Sequence, residues 1–260
     1  MLTQQNDEDK YDIAIVGMGP GGMAAALRLA EKGKKIIIFE NRSHFSRVQR
    51  VILNPQSVNF LRELEDQCYR RPGYVQKPAD AKFMAELDWS SPTPNVADIQ
   101  KFLKRKMEIL YPDSITIKRG ANVKVEDIDP KTRKFRYKEG SESRTVEFSH
   151  LIAADGARHG TADQLKKKDP SLPITYQPLS AQLRHTANGT VNVDVKTGIS
   201  TRDHQRELDL ETDLPKLAAL GWDKPYLPKI YVWPDSSERN FYIAGEVPDH
   251  FVKLTDPKER

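Results

Sequence analysis

Cysteine is nearly absent: the 260 residues contain only Cys68. One thiol excludes an internal disulfide framework, a CxxC redox pair and a cysteine-rich zinc site. The expectation is a reducing, cytoplasmic setting. Long apolar runs are missing too, so no segment of about 18 residues could cross a bilayer as a helix. The first ten residues are polar and acidic and lack the basic-then-apolar order of a secretory signal. The six histidines are scattered, with none paired at helical spacing, which leaves no expected metal site. Charge of one sign is also scarce, since 41 basic residues face 37 acidic ones. The basic groups at Arg70–Arg71, Lys101–Lys106 and Lys166–Lys168 form no continuous stripe with interleaved aromatics. No nucleic-acid partner is expected.

What is present begins almost at the N-terminus. Asp12–Val16 (DIAIV) is a short apolar run of the kind found in buried parallel strands. Gly17-Met18-Gly19-Pro20-Gly21-Gly22 follows, and Met23–Lys32 then reads as a helix stopped by Gly33. Lys35–Phe39 is a second strand, closed by Glu40. Strand, tight turn, helix and strand within about 30 residues make a βαβ unit. In such a turn the first glycine allows the sharp bend. The second lets the backbone approach a pyrophosphate, and the last lets helix and strand pack closely. The helix N-terminus directs its N–H groups and positive dipole end at the anion. Alone, GxGxxG is a weak signal, but here the flanking strand, helix and acidic residue are all in place. Glu40, 18 residues past Gly22, can accept ribose hydroxyls and would repel a 2′-phosphate. The turn by itself does not separate FAD from NAD.

Further along, Asn54-Pro55 caps a helix over Gln56–Asp66, and Asn95 with Asp98 opens another that runs to about Leu110. Between them, Arg70–Pro94 reads as an inserted loop with one strand near Phe83–Leu87. Strands are expected at Ile115–Arg119, Val123–Ile128, Phe135–Lys138, Val146–Phe148 and Leu151–Ala154, the last ending in Asp155-Gly156. Beyond Lys166, Thr190–Val195, Ile230–Trp233 and Phe241–Ala244 alternate as antiparallel strands do, and Leu214–Leu220 suits a short helix. The fold class read from this is α/β. A Rossmann-like dinucleotide-binding domain (1–165, possible insertion at 70–94) precedes a mixed or antiparallel sheet domain of substrate type (166–260).

From Asp12 to Arg42 the sequence DIAIVGMGPGGMAAALRLAEKGKKIIIFENR resembles the FAD-binding start of the class A flavoprotein monooxygenases, the para-hydroxybenzoate hydroxylase superfamily. Phe45–Pro55 (FSRVQRVILNP) is similar to the matching segment of the MICAL monooxygenase domain, with Val48 and Gln49 in place of two asparagines. Leu151–Arg158 (LIAADGAR) resembles the superfamily's DG motif. The resemblance implies FAD as cofactor and NAD(P)H as electron donor. It implies oxygen transfer through a flavin hydroperoxide to a small molecule or a protein side chain. It also assigns cofactor contacts to Gly17, Gly19, Pro20, Gly21, Gly22, Glu40, Asn41, Arg42, Arg47, Arg50, Val123, Asp155 and Gly156. An arginine common early in the helix after the third strand falls near Ala97 here, so that contact is expected to be lost. The superfamily's later GD motif has no counterpart among the 260 residues, which implies a shortened chain or a weaker grip on the far half of FAD. No nucleophile or acid–base pair stands out. The alternatives are a silent dinucleotide-binding module that serves protein interaction, or an NAD-dependent dehydrogenase.

Overall fold

The structure, a computed structural model, describes residues 10–47, 49–88, 92–156, 160–175, 186–192, 214–219, 221–223, 228, 230–234 and 240–247. It divides into two compact units, Met1–Arg47 with Val51–Thr175, and Val48–Arg50 with Tyr176–Arg260.

The first unit is built on a six-stranded sheet in the order β3-β2-β1-β6-β5-β4. Its strands are β1 (Lys10–Val16), β2 (Ile36–Glu40), β3 (Ile115–Arg119), β4 (Val123–Asp129), β5 (Lys134–Glu139) and β6 (Glu142–Ala153). β1 pairs in parallel with both β2 and β6, and β2 pairs in parallel with β3. β4, β5 and the first half of β6 form an antiparallel meander. The helices are α1 (Pro20–Glu31), α2 (Pro55–Tyr69), α3 (Pro78–Glu86), α4 (Val96–Leu110) and α5 (Gly160–Lys168).

Strand alternation sorts β1 and β2 into two faces. Ile13, Ile15, Ile36 and Ile38 join one core with the buried faces of α1, α2 and α4. Ala14, Ile37 and Phe39 join the other, against Val123, Ile128, Phe135, Tyr137, Val146 and Phe148 of the meander. The Phe39 ring meets those of Phe135 and Tyr137 edge-on, at centroid distances of 4.8 and 5.0 Å. The parallel strands are thus covered on both faces, and their carboxyl ends gather at one edge.

Two sequence expectations need correction. Phe83–Leu87 is not a strand. It lies in α3 and its C-cap, because Lys77-Pro78 starts a helix and Asp80 and Phe83 are buried at helical spacing. Phe83 and Leu87, one helical turn apart, both face the core, and Phe83 packs on Phe102 at 4.7 Å. The strands expected at Val146–Phe148 and Leu151–Ala154 are one strand, β6. Ser149-His150 offers no turn, and the strand passes from β5 at its start to β1 at its end.

In the second unit, β7 (Thr186–Asn192), β8 (Ile230–Pro234) and β9 (Asn240–Glu246) form an antiparallel sheet ordered β7-β9-β8. Trp233 stands opposite Tyr242, as the expected hairpin requires. α6 covers Leu214–Ala219. The end of the strand expected at Thr190–Val195 lies outside the described residues.

Candidate functional site

Gly17 follows β1 at φ 108°, a conformation that L side chains rarely adopt. A Cβ there would lie 2.3 Å from the Ala154 carbonyl oxygen, and one on Gly22 would lie 2.2 Å from the Gly17 carbonyl oxygen. These two glycines let β1, α1 and the end of β6 close on one another. Gly19 and Gly21 differ. A Cβ on Gly19 would have only the Ala154 oxygen, at 4.0 Å, and one on Gly21 would meet nothing within 4 Å. The turn is tight toward the protein and open at Gly19 and Gly21. That is the shape a backbone phosphate cradle needs. Gly19 is the N-cap of α1 and Pro20 starts the helix, so the positive end of the helix dipole opens at this turn.

Glu40 closes β2 and is 5% exposed. Its Oε1 accepts the Arg42 backbone N–H at 3.0 Å and Arg42 Nε at 2.9 Å. Its Oε2 accepts Arg42 Nη2 at 2.8 Å and the Met18 N–H at 3.2 Å. Burial opposes ionisation of Glu40, but the Arg42 and Met18 hydrogen bonds outweigh it and hold the carboxyl below the usual range. A carboxylate has about four acceptor positions, and these four N–H groups take them. A ribose would therefore have to exchange with the Arg42 guanidinium. Arg42 also balances the charge on which exclusion of a 2′-phosphate was argued.

The other expected residues are placed as follows. Asn41 is exposed beside this pair. Arg47 has an exposed side chain, and its carbonyl accepts the Ala97 N–H at 3.0 Å. Arg50 belongs to the second unit. Val123 is buried at the start of β4, after a turn in which the Gly120 N–H donates to the Glu40 carbonyl at 3.0 Å. Asp155 adjoins the glycine turn, since a Cβ on Gly17 would come 2.8 Å from its nitrogen. Its Oδ2 accepts the Thr161 N–H at 2.7 Å and the Thr161 hydroxyl at 3.0 Å, a hydrogen-bonding pattern that caps α5. Gly156 follows at φ 81°. The carboxyl ends of β1, β2 and β6 thus bring together Gly17–Gly22, Glu40, Arg42 and Asp155.

Sequence reasoning missed three side chains. Gln100, 1% exposed in α4, donates Nε2 to the Met18 carbonyl at 2.8 Å. Arg119, ending β3, donates Nε to the Arg42 carbonyl at 3.1 Å, and its guanidinium lies 4.0 Å from the Phe45 ring centroid. Phe45 is buried and anchors the loop that carries Arg42. A signal for Gln100 existed: it shares a helical face with Leu103 and Met107, where an apolar residue is expected.

Among the described residues, no group of three or more His, Cys, Asp or Glu could hold a metal, and no helix is long and apolar enough to cross a membrane.

Residues 10–190 match the family model described as FAD binding domain. Thiamine thiazole synthase of Pyrobaculum aerophilum is 36% identical over 70 residues, covering 23% of this chain and 27% of that protein. The Pyrobaculum islandicum enzyme is 34% identical over 89 residues, 28% and 34% of the two chains. Among solved structures, a flavoprotein/dehydrogenase from Cytophaga hutchinsonii superposes with TM-score 0.59 at 17% identity, covering 95% of this chain and 58% of that one. The p-nitrophenol 4-monooxygenase of Pseudomonas putida gives 0.57 at 16%, covering 96% and 62%. Aklavinone-11 hydroxylase, solved with FAD and aklavinone, gives 0.58 at 16%, covering 96% and 48%. The chain therefore spans less than two thirds of each of these relatives. At the level of fold, the resemblance to class A monooxygenases is borne out.

Proposed function

Because this chain belongs to the FAD binding domain family, we propose that it is the FAD-binding part of a flavin-dependent monooxygenase that draws electrons from NADH or NADPH. One observation carries the reading. The Gly17–Gly22 turn excludes side chains where it meets β6, stays open at Gly19 and Gly21, and lies beside the buried carboxylate of Glu40. When bound, the flavin supplies the redox and oxygen-transfer chemistry. The residues of this chain supply binding and orientation. The turn and the start of α1 take the pyrophosphate. Glu40 holds the ribose once Arg42 has shifted, and the freed guanidinium is then available to the adenosine side. Asp155 and Gly156 close the site next to the turn, while Arg47 contributes charge on the flavin side. The substrate is a small molecule, aromatic compounds being the first class to try, or a protein side chain.

The test uses the purified natural protein. A flavin absorption spectrum at near one FAD per chain is expected, with NADH or NADPH oxidation that rises on adding an aromatic substrate. Colourless protein that cannot be reconstituted with FAD would overturn the reading. Bound FAD without any NAD(P)H oxidation would favour a binding module instead.

A further inference from the structure

Resting on the FAD-site reading, we infer that Gln100 is a positioning residue for the dinucleotide turn, one that aims the Gly19 N–H at the anion. Gln100 projects from α4, 82 residues away in sequence, and donates Nε2 to the Met18 carbonyl at 2.8 Å. The Met18 N–H is held separately by Glu40. Every described peptide bond is trans. In a trans peptide the carbonyl of one residue and the N–H of the next point in opposite directions. Fixing the Met18 carbonyl toward α4 therefore turns the Gly19 N–H away from α4. Met18 is thus held on both sides, its N–H in the Gly17–Met18 peptide by Glu40 and its carbonyl in the Met18–Gly19 peptide by Gln100.

The second amide atom argues that position is what this side chain serves. Gln100 Oε1 is buried and has no hydrogen-bond partner among the described residues. Leucine or methionine would fill a similar volume without that unpaired amide oxygen, but would leave the Met18 carbonyl without its donor. Turning the amide over would set its oxygen against the Met18 oxygen, so the donor assignment follows from the geometry. A site that tolerates an unsatisfied atom in order to keep one donor follows the pattern of functional positions.

The experiment compares Gln100→Leu and Gln100→Met with the unaltered protein in two measurements. The first is amide hydrogen exchange of the ligand-free protein. Exchange within Gly17–Gly22 should quicken by about fivefold or more, the scale of one net hydrogen bond. Exchange in β2 and in the last turns of α1 should stay unchanged. The second is a titration with FAD, in which Kd should rise by about fivefold to tenfold. Unchanged exchange in the turn for both variants overturns the inference. So does uniform acceleration through β1, β2 and β6, which would make Gln100 a general core residue. If the unaltered protein fails to bind FAD while the variants loosen the turn, the FAD reading falls and the positioning of the turn by Gln100 stands.

Discussion

Gly19 and Gly22 lie three residues apart in one turn and should respond to valine in opposite ways. A Cβ on Gly19 meets only one atom at 4.0 Å, and its φ of −68° suits any residue. Gly19→Val should therefore leave thermal unfolding nearly unchanged while abolishing FAD binding in a fluorescence titration, because the side chain fills the open side. Gly22→Val drives its Cβ to 2.2 Å from backbone. Overpacking costs typically about 1–3 kcal/mol, and backbone cannot swing aside, so the loss should reach at least that range in urea unfolding. Glu40 adds a pH signature. Its carboxyl is held below its ordinary value of 4.5, so its contribution is present above that pH and is lost as pH falls through the lowered value. Glu40→Gln should be less stable than the unaltered protein at pH 7, and the gap should close toward pH 3. A constant gap across that range would remove the ionised carboxylate from the explanation. The glycines and Glu40 were legible because their role depends on residue type at fixed spacing. The saturation of Glu40 by Arg42 and Met18 was not, since a list of residues does not state which acceptor positions are filled.

At the scale of elements, α2, α3 and α4 meet over a buried charge cluster. Lys106 of α4 is 0% exposed. It pairs with Glu65 of α2 and with Asp80 of α3, the latter at 3.1 Å, and donates to the Tyr74 hydroxyl at 2.9 Å. Arg105 also pairs with Asp80. The Tyr74 hydroxyl and Gln76 Nε2 donate to Glu65 at 2.7 and 2.9 Å. Burial pulls the Lys106 ammonium toward neutrality, but Glu65, Tyr74 and Asp80 together reverse this and keep it charged. Burial also raises the Cys68 thiol to about 11, which leaves it inert at neutral pH. Lys106→Met should destabilise by about 3–5 kcal/mol, because both carboxylates stay buried and lose their shared cation. Urea unfolding would measure this. Adding Glu65→Gln and Asp80→Asn should recover part of the loss, and no recovery would mean that the lysine stem rather than its charge matters. The caps at Asn54 and Asn95 were readable from sequence because each acts within three residues, accepting from the Ser57 and Asp98 N–H groups at 2.8 and 2.9 Å. α3 was misread because Phe83 and Leu87 fit an apolar alternation as well as a helical face. The helix start at Pro78 and the packing of Phe83 on Phe102 of α4 decide between them.

For the whole molecule, the parallel βαβ core was the most legible part, since its pattern is local and continuous. The meander was less so, because β6 changes partners midway from β5 to β1 without any change in sequence character. The placement of the site makes a prediction about where cofactor binding stabilises the chain. Gly17–Gly22, Glu40, Arg42, Gln100, Arg119 and Asp155 all lie in the unit that runs through Val51–Thr175 and the first 47 residues, and β7, β8 and β9 lie in the other. A ligand that binds only the folded form stabilises it by mass action, by about 2.7 kcal/mol at a free concentration 100 times Kd. With two compact units, one unfolding temperature need not describe the chain, and that free energy belongs to whichever unit holds the ligand. Saturating FAD should therefore slow hydrogen exchange in the Gly17–Gly22 turn, at the end of β2 and around Gly120–Val123. It should leave β7, β8 and β9 close to their ligand-free rates. In calorimetry only part of the heat absorption should move upward. Equal slowing in both sheets would show that binding stabilises the two units together, and the glycine turn would then not suffice to describe the site.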